Sequence, residues 1–364
     1  MVRGPYEPLR TALRSIAEAQ RIPGVAVVVV EEGEVAFDHC WGIVDVEAPH
    51  PVELDTRFPL ASVSKVVTAL AVHVEEAARG SISLTASPSD LIADLAWGDA
   101  RAKGITLSHL LSHTAGLDDM DPITWADDEA CDEGALARSV AAFARRSLLD
   151  LPGARYRYSN AGYDVAGLAL ARAAGTSFER AAFDRVLAPL AMTASNYYPH
   201  APGPSLAVGH VGDGRGGVVP YRGSNGSRSH APCGTLASSA RDLAALVSVL
   251  ADPARSTLGD VSVLARKIAT TGRDDGAWSG LGVRIRDLRG ETVLEHGGWD
   301  PGFRCAVAAI PSRRAGAAVL TNFHWSAPSL MRSVLDAIQG IEPRVSDDEL
   351  ALCRRAPPAG RGAG

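Results

Sequence analysis

The chain has 364 residues, an apolar fraction of 46% and a formal charge of −6 at neutral pH. That length allows one large domain or two intimate ones, and the acidic balance gives no electrostatic case for nucleic acid or an anionic membrane. No apolar run reaches membrane-spanning length, and the five scattered cysteines (Cys40, Cys131, Cys233, Cys305, Cys353) form no Cys-x-x-Cys or Cys/His cluster, so free thiols and no metal are expected.

The first eight residues have no apolar core, so a signal peptide is not predicted and a cytoplasmic location is expected. Residues 6–20 are predicted as an amphipathic helix with Leu9, Leu13 and Ile16 on one face, broken by Pro23-Gly24. Val25–Glu31 and Val35–Trp41 read as a hairpin turned at Glu32-Gly33-Glu34. Phe58–Lys65 then opens an apolar, buried helix that stops near Gly80. From about 85 to 250 the pattern is mostly helical. Thr106 is a cap for a short helix through Leu111, Thr176 and Glu179 read as a capping box, and Ser239 starts a helix to Leu250. Strand-like runs follow at Gly282–Ile285, Thr292–His296, Arg304–Ile310 and Gly316–Thr321, separated by Arg289-Gly290, Gly297-Gly298 and Pro311-Ser312. A last helix is predicted at 328–338, and residues 354–364, rich in Arg, Pro, Gly and Ala, as disordered. The acidic stretch 118–134 and the Gly-rich stretch 203–234 read as loops, the second being a surface excursion or a lid.

Strands at both ends with helices between predict an α+β fold. An antiparallel central sheet, flanked by helices, is built from 1–84 and 275–345, with an inserted mainly helical subdomain at 85–274 and a partly disordered tail at 346–364. An active cleft is expected between the two parts.

Three stretches carry chemistry. Ser62 stands three residues before Lys65, a spacing that places both on one helix face, so the amine can take the hydroxyl proton that makes serine a nucleophile. An apolar helix makes a lysine costly without a partner or a task. The second stretch, Arg155–Tyr163, offers Tyr158, whose anion an adjacent Lys65 ammonium would favour, and Asn160, whose amide suits a substrate carbonyl or amide. The third is Leu294–Phe303, where Gly297 and Gly298 let backbone approach a ligand and the Trp299 N–H can join that of Ser62 as an oxyanion hole. His296 is expected to orient substrate. Each stretch alone is unspecific.

Together, in this order and spacing, they resemble the serine β-lactamase and penicillin-binding-protein superfamily, specifically its class C β-lactamase-like branch of DD-carboxypeptidases and family VIII esterases. Tyr158-Ser159-Asn160 is similar to that branch's Tyr-x-Asn, and Leu110–Leu117, Leu190–Thr193 and Thr235–Leu243 extend the likeness over roughly 10–340. The resemblance implies a β-lactamase/DD-peptidase-like fold and a cofactor-free serine hydrolase that acts through an acyl-enzyme on a small-molecule ester or amide. His109 and His113 look like loop architecture. Where the family's β-lactamases carry Lys-Thr-Gly, this chain has His296-Gly297-Gly298, which lacks the ammonium and hydroxyl that hold a β-lactam carboxylate. That points to the esterase, D-aminopeptidase or acyltransferase branches. A reading of another class, a non-catalytic penicillin-binding-like sensor, stands beside these.

Overall fold

Seven strands make one antiparallel sheet in the order β2-β1-β11-β10-β9-β8-β7. The computed structural model describes residues 6–119, 130–197, 205–223, 226–268, 275–324 and 328–343. The predicted C-terminal tail, Cys353 and parts of both predicted loops lie outside the described residues. The N-terminal hairpin pairs β1 (Gly24–Glu31) with β2 (Glu34–Gly42). Short strands β3 (Arg57–Pro59), β4 (His210–Gly212), β5 (Val218–Pro220) and β6 (Ala237–Ser239) form two small two-stranded sheets, β3 with β6 and β4 with β5. The C-terminal part supplies β7 (Trp278–Ser279), β8 (Arg284–Leu288), β9 (Glu291–Asp300), β10 (Phe303–Ile310) and β11 (Ala315–Thr321). Strands from both ends thus share one sheet, because β1 pairs with β11 from Val25 to Glu31.

The β1 sequence GVAVVVVE explains its central place. Its β-branched residues fit a pleated surface, and it is buried on both faces. Val25, Val27 and Val29 join one core with the helices Glu7–Ala19 and Pro328–Ile338, whereas Ala26, Val28 and Val30 join the larger core on the other face. A one-residue slip would exchange the two sets, so register is strongly specified. The turn to β2 is tight: Glu32 and Gly33 have φ of 50° and 87°, the positive values a two-residue hairpin loop requires.

Helical expectations hold at several ends. The Ser64–Arg79 helix stops at Gly80 with φ 62°. Thr106 caps Leu107–Leu111 by accepting from the His109 N–H, and Ser239 caps Ala240–Ala251 by accepting from that of Asp242. Three readings need correction. The cap at 176 is in fact Ser177, whose hydroxyl accepts from the Arg180 N–H, while Glu179 turns to Arg228. Ser62 precedes the α-helix, in a 3-10 turn at Ala61–Val63. Gly297-Gly298 does not separate strands: β9 runs through to Asp300, and the hairpin to β10 turns at Pro301 and Gly302, where φ is 86°. Among the described residues no helix is long and apolar enough to cross a membrane.

Candidate active site

The turn that carries Ser62 is fixed by contacts within the protein. Ala61 has φ 48°, an uncommon conformation for a residue with a Cβ. Such backbone costs of order 1–3 kcal/mol and persists only where its surroundings over-determine it. Ser64 supplies one restraint, donating through Oγ to the Ala61 carbonyl at 2.7 Å and accepting from the Leu236 N–H at 3.1 Å. The Leu60 N–H donates to the Leu236 carbonyl at 2.8 Å, and Cys305 Sγ approaches the Pro59 carbonyl at 3.3 Å.

Three of the predicted residues meet at one oxygen and a fourth joins them. Ser62 Oγ accepts from Lys65 Nζ at 3.0 Å and from the Tyr158 hydroxyl at 2.8 Å. Lys65, fully buried, also donates to Asn160 Oδ1 at 2.7 Å and to the Cys233 carbonyl at 2.6 Å. All three N–H bonds of an ammonium are therefore spoken for. Burial alone would lower the Lys65 pKa, but charge interactions with Tyr158 and Cys233, the Tyr158 hydrogen bond and the charge of Asp164 outweigh it and hold it above its ordinary value. The ammonium also lies 5.1 Å from the Tyr158 ring centre and 5.5 Å from that of Tyr163.

Asn160 meets protein groups at both ends of its amide. Its Oδ1 faces Lys65, and its Nδ2 and backbone N–H donate to Asp119 Oδ1 at 3.2 and 2.8 Å. Asp119 sits where the N-terminus of the Asn160–Ala174 helix leaves donors exposed, and so it fixes which way the amide points. The buried Asn160 amide is thus held between Lys65 and Asp119. His113 also gains a role: its ring stacks on Tyr158 at 4.3 Å between centres and its Nδ1 accepts the Ser159 N–H at 3.2 Å. His109 closes its own helix cap, as architecture.

Beneath Lys65, one turn along the helix from Asn160, Asp164 Oδ2 lies 2.8 Å from His230 Nδ1. Burial pushes the Asp164 carboxyl up against the opposing pull of His230 and Lys65. Ligand atoms of Asp164, His230 and Cys233 lie within 4.8 Å of one another. The donor set does not fit a cation: burial holds the Cys233 thiol protonated, the carboxylate is already bonded to the imidazole, and the Lys65 ammonium is adjacent. The cluster instead pins the turn whose Cys233 carbonyl receives Lys65.

The third predicted element faces the same turn. β9 passes Ala61–Val63 so closely that a Cβ on Gly298 would lie 2.1 Å from the Leu60 carbonyl oxygen, whereas one on Gly297 would meet only the Cys305 carbonyl, at 3.9 Å. Gly298 alone is required for the close approach. The Trp299 side chain is 48% exposed, with its backbone next to this contact. His296 turns its Nδ1 to the Gly297 carbonyl at 2.8 Å. Gly298→Ala must push β9 away from the turn that carries Ser62; on the expectation that the Trp299 N–H is an oxyanion donor, whose misplacement costs roughly 10²–10³, it should lower kcat by at least about tenfold and clearly more than Gly297→Ala. Steady-state kinetics of the two variants with a p-nitrophenyl ester checks this.

The sequence model of the family described as Beta-lactamase matches residues 9–332. This chain belongs to the β-lactamase family. It is 26% identical over 355 residues to a D-aminopeptidase of Brucella ovis, an alignment that covers 92% of this chain and 63% of the relative. The β-lactamase-family chain thus spans less than two thirds of that relative's length. Its fold is similar to the octameric penicillin-binding protein homologue from Pyrococcus abyssi (TM-score 0.80, 22% identity, 92% of this chain and 77% of that one). It is also similar to EstCE1, described as a hydrolase with promiscuous acyltransferase activity (TM-score 0.76, 21% identity, 93% and 99%). These likenesses support the expected β-lactamase/DD-peptidase-like α+β fold.

Sequence reasoning missed Asp119, Asp164, His230 and the Cys233 carbonyl in this β-lactamase-family site. A backbone carbonyl leaves no trace in a sequence. Asp164 had a signal, since it stands four residues after Asn160 and so on its helix face.

Proposed function

We propose that this protein is a serine hydrolase that forms an acyl-enzyme on Ser62 with a small-molecule ester or amide. The observation that carries the reading is the shared Ser62 Oγ, within hydrogen-bonding distance of both Lys65 Nζ and Tyr158 Oη. The buried Lys65 ammonium attracts negative charge onto the Tyr158 oxygen as a proton moves. Acting as the phenolate, with its own proton released to solvent and its charge offset by the Lys65 ammonium, Tyr158 takes the Ser62 proton as Oγ attacks the carbonyl carbon, and the oxyanion is held by the Ser62 and Trp299 N–H groups. Tyr158 then gives the proton to the leaving group. Water, activated by the same pair, attacks the acyl carbon and releases Ser62. An alcohol in place of water would give acyl transfer by the same steps.

The absence of an ammonium and a hydroxyl at His296-Gly297 favours substrates other than β-lactams, the relative named D-aminopeptidase supports an amide, and EstCE1, a hydrolase with promiscuous acyltransferase activity, supports acyl-group chemistry. A panel of p-nitrophenyl esters, D-amino acid amides and nitrocefin tests this. Turnover of an ester or amide is expected, with nitrocefin slower by about 10–100-fold, the worth of one lost charged hydrogen bond. Rapid nitrocefin turnover would overturn the substrate assignment. A stable Ser62 adduct without turnover of any substrate would favour the sensor.

A further inference from the structure

The Asp164–His230 pair does more than brace a turn. Asp164 is 1% exposed and His230 5%. Asp164 stands four residues after Asn160 on the Asn160–Ala174 helix, and so shares the face from which Asn160 meets Lys65. One carboxylate oxygen, Oδ2, lies 2.8 Å from His230 Nδ1; the other, Oδ1, is buried without a hydrogen-bond partner among the described residues. Cys233 Sγ, within 4.8 Å, turns instead to the His230 carbonyl at 3.4 Å. A buried carboxylate bonded at one oxygen only keeps charge that a cation must balance. Burial pushes the Asp164 carboxyl up, and His230 and the Lys65 ammonium pull it down. The effect is mutual: burial works against the Lys65 ammonium, and Asp164, after Tyr158 and Cys233, is among the groups that outweigh it.

The same pair holds the backbone that aims Lys65. His230 opens the short Ala231–Gly234 helical turn. From that turn the Cys233 carbonyl accepts from Lys65 Nζ and the Pro232 carbonyl from Thr68 Oγ1, each at 2.6 Å, and just beyond it the Leu236 N–H donates to Ser64 Oγ at 3.1 Å. Other charged groups around Asp164 are paired away from it: Glu179 meets Arg228, Asp132 meets Arg138, and Glu75 meets Arg185. Asp119 is bonded to Asn160, Asp90 is exposed, His109 closes its own cap and His113 stacks on Tyr158. The rings of Tyr158 and Tyr163 and the Asp300 carboxyl lie about Lys65.

We propose that Asp164 is a positioning residue for the reaction, the buried counter-ion that, with His230, keeps Lys65 charged and aimed at Ser62 and Tyr158 and so sets the pH range in which the site works. This rests on the acyl-enzyme reading. Lys65 and Tyr158 exchange charge across one oxygen and titrate as a unit. A fixed negative charge beside them favours the ammonium and opposes the phenolate, so it moves both steps of the pair to higher pH. Its removal must move both to lower pH.

The test is kcat/KM for p-nitrophenyl acetate against pH, for the wild-type chain, Asp164→Asn, Asp164→Glu and His230→Phe. Asparagine keeps the shape and an acceptor for His230 but loses the charge. His230→Phe removes the hydrogen bond that favours the carboxylate, so the buried carboxyl keeps its proton. The position of a limb does not depend on the fraction folded, and a merely structural role would not move it. The acid limb is expected to fall by about one pH unit or more in Asp164→Asn, the work of one charge in a partly enclosed site, to fall in His230→Phe as well, and to return towards the wild-type place in Asp164→Glu. The ultraviolet absorbance of tyrosinate, read in a Ser62→Ala background that needs no turnover, should show one step at lower pH with Asp164→Asn, and no such step once Tyr158→Phe is added. A folded Asp164→Asn or His230→Phe whose acid limb stays in place or rises, or a tyrosinate step that Asp164→Asn leaves unmoved, would overturn the proposal. Ester turnover that survives Ser62→Ala, with the tyrosinate step still moved, would overturn the acyl-enzyme reading alone.

Discussion

Ser62→Ala is expected to lose turnover of a p-nitrophenyl ester by on the order of 10⁴–10⁶-fold, because residues that act as one nucleophilic unit fail together when the attacking atom is removed. What remains is catalysis by the oxyanion donors and by binding. The substitution should leave the fold intact. Ser62 is partly exposed, and water can take over the two hydrogen bonds that Lys65 and Tyr158 now give to Oγ. Comparable thermal unfolding of the two proteins, beside the kinetic loss, separates a chemical effect from a structural one. A rate within tenfold of the wild type would remove Ser62 from the mechanism.

Lys65→Met is expected to cost both activity and stability. The methionine fills the space of the lysine stem between the Tyr158 and Tyr163 rings but has no charge to stabilise a Tyr158 phenolate and no N–H to aim Ser62. Loss of a positioned proton-transfer group lowers kcat by about 10²–10⁴-fold. Two enclosed acceptors, Asn160 Oδ1 and the Cys233 carbonyl, lose their donor, and at about 1–3 kcal/mol each they should destabilise the fold by roughly 2–6 kcal/mol. Removal of the cost of a buried charge offsets part of this. Denaturant unfolding measures the stability loss and ester turnover the catalytic one. A variant as active as the wild type would show that the ammonium serves the fold alone.

Much of the fold could be read from local chemistry. The valine run of β1, Gly80 at a helix end and the Thr106 and Ser239 caps are signals that act within a few residues, and the structure follows them. Local reasoning failed at β9. Two adjacent glycines look like a turn, but Gly298 is there because the Leu60 carbonyl, distant in sequence, comes against it. The same division runs through the site. Ser62 and Lys65 are three residues apart, and their contact is visible in the sequence; Tyr158 came from motif order. The Asn160 amide suits a ligand or a neighbour equally well by sequence, and its contacts with Asp119 and Lys65 on either side could not be read from any spacing. The Asp164–His230 pair joins residues 66 positions apart, beyond the reach of any spacing rule.

The most direct measurement is to quench the reaction of the protein with p-nitrophenyl acetate within its first turnover, digest it and map the acetyl group by mass spectrometry. The account predicts one acetyl group per chain, on the Ser62 hydroxyl, forming no slower than product release and absent from Ser62→Ala. Steady turnover with Ser62 unmodified, or acetyl carried on another side chain at a kinetically competent rate, would contradict it.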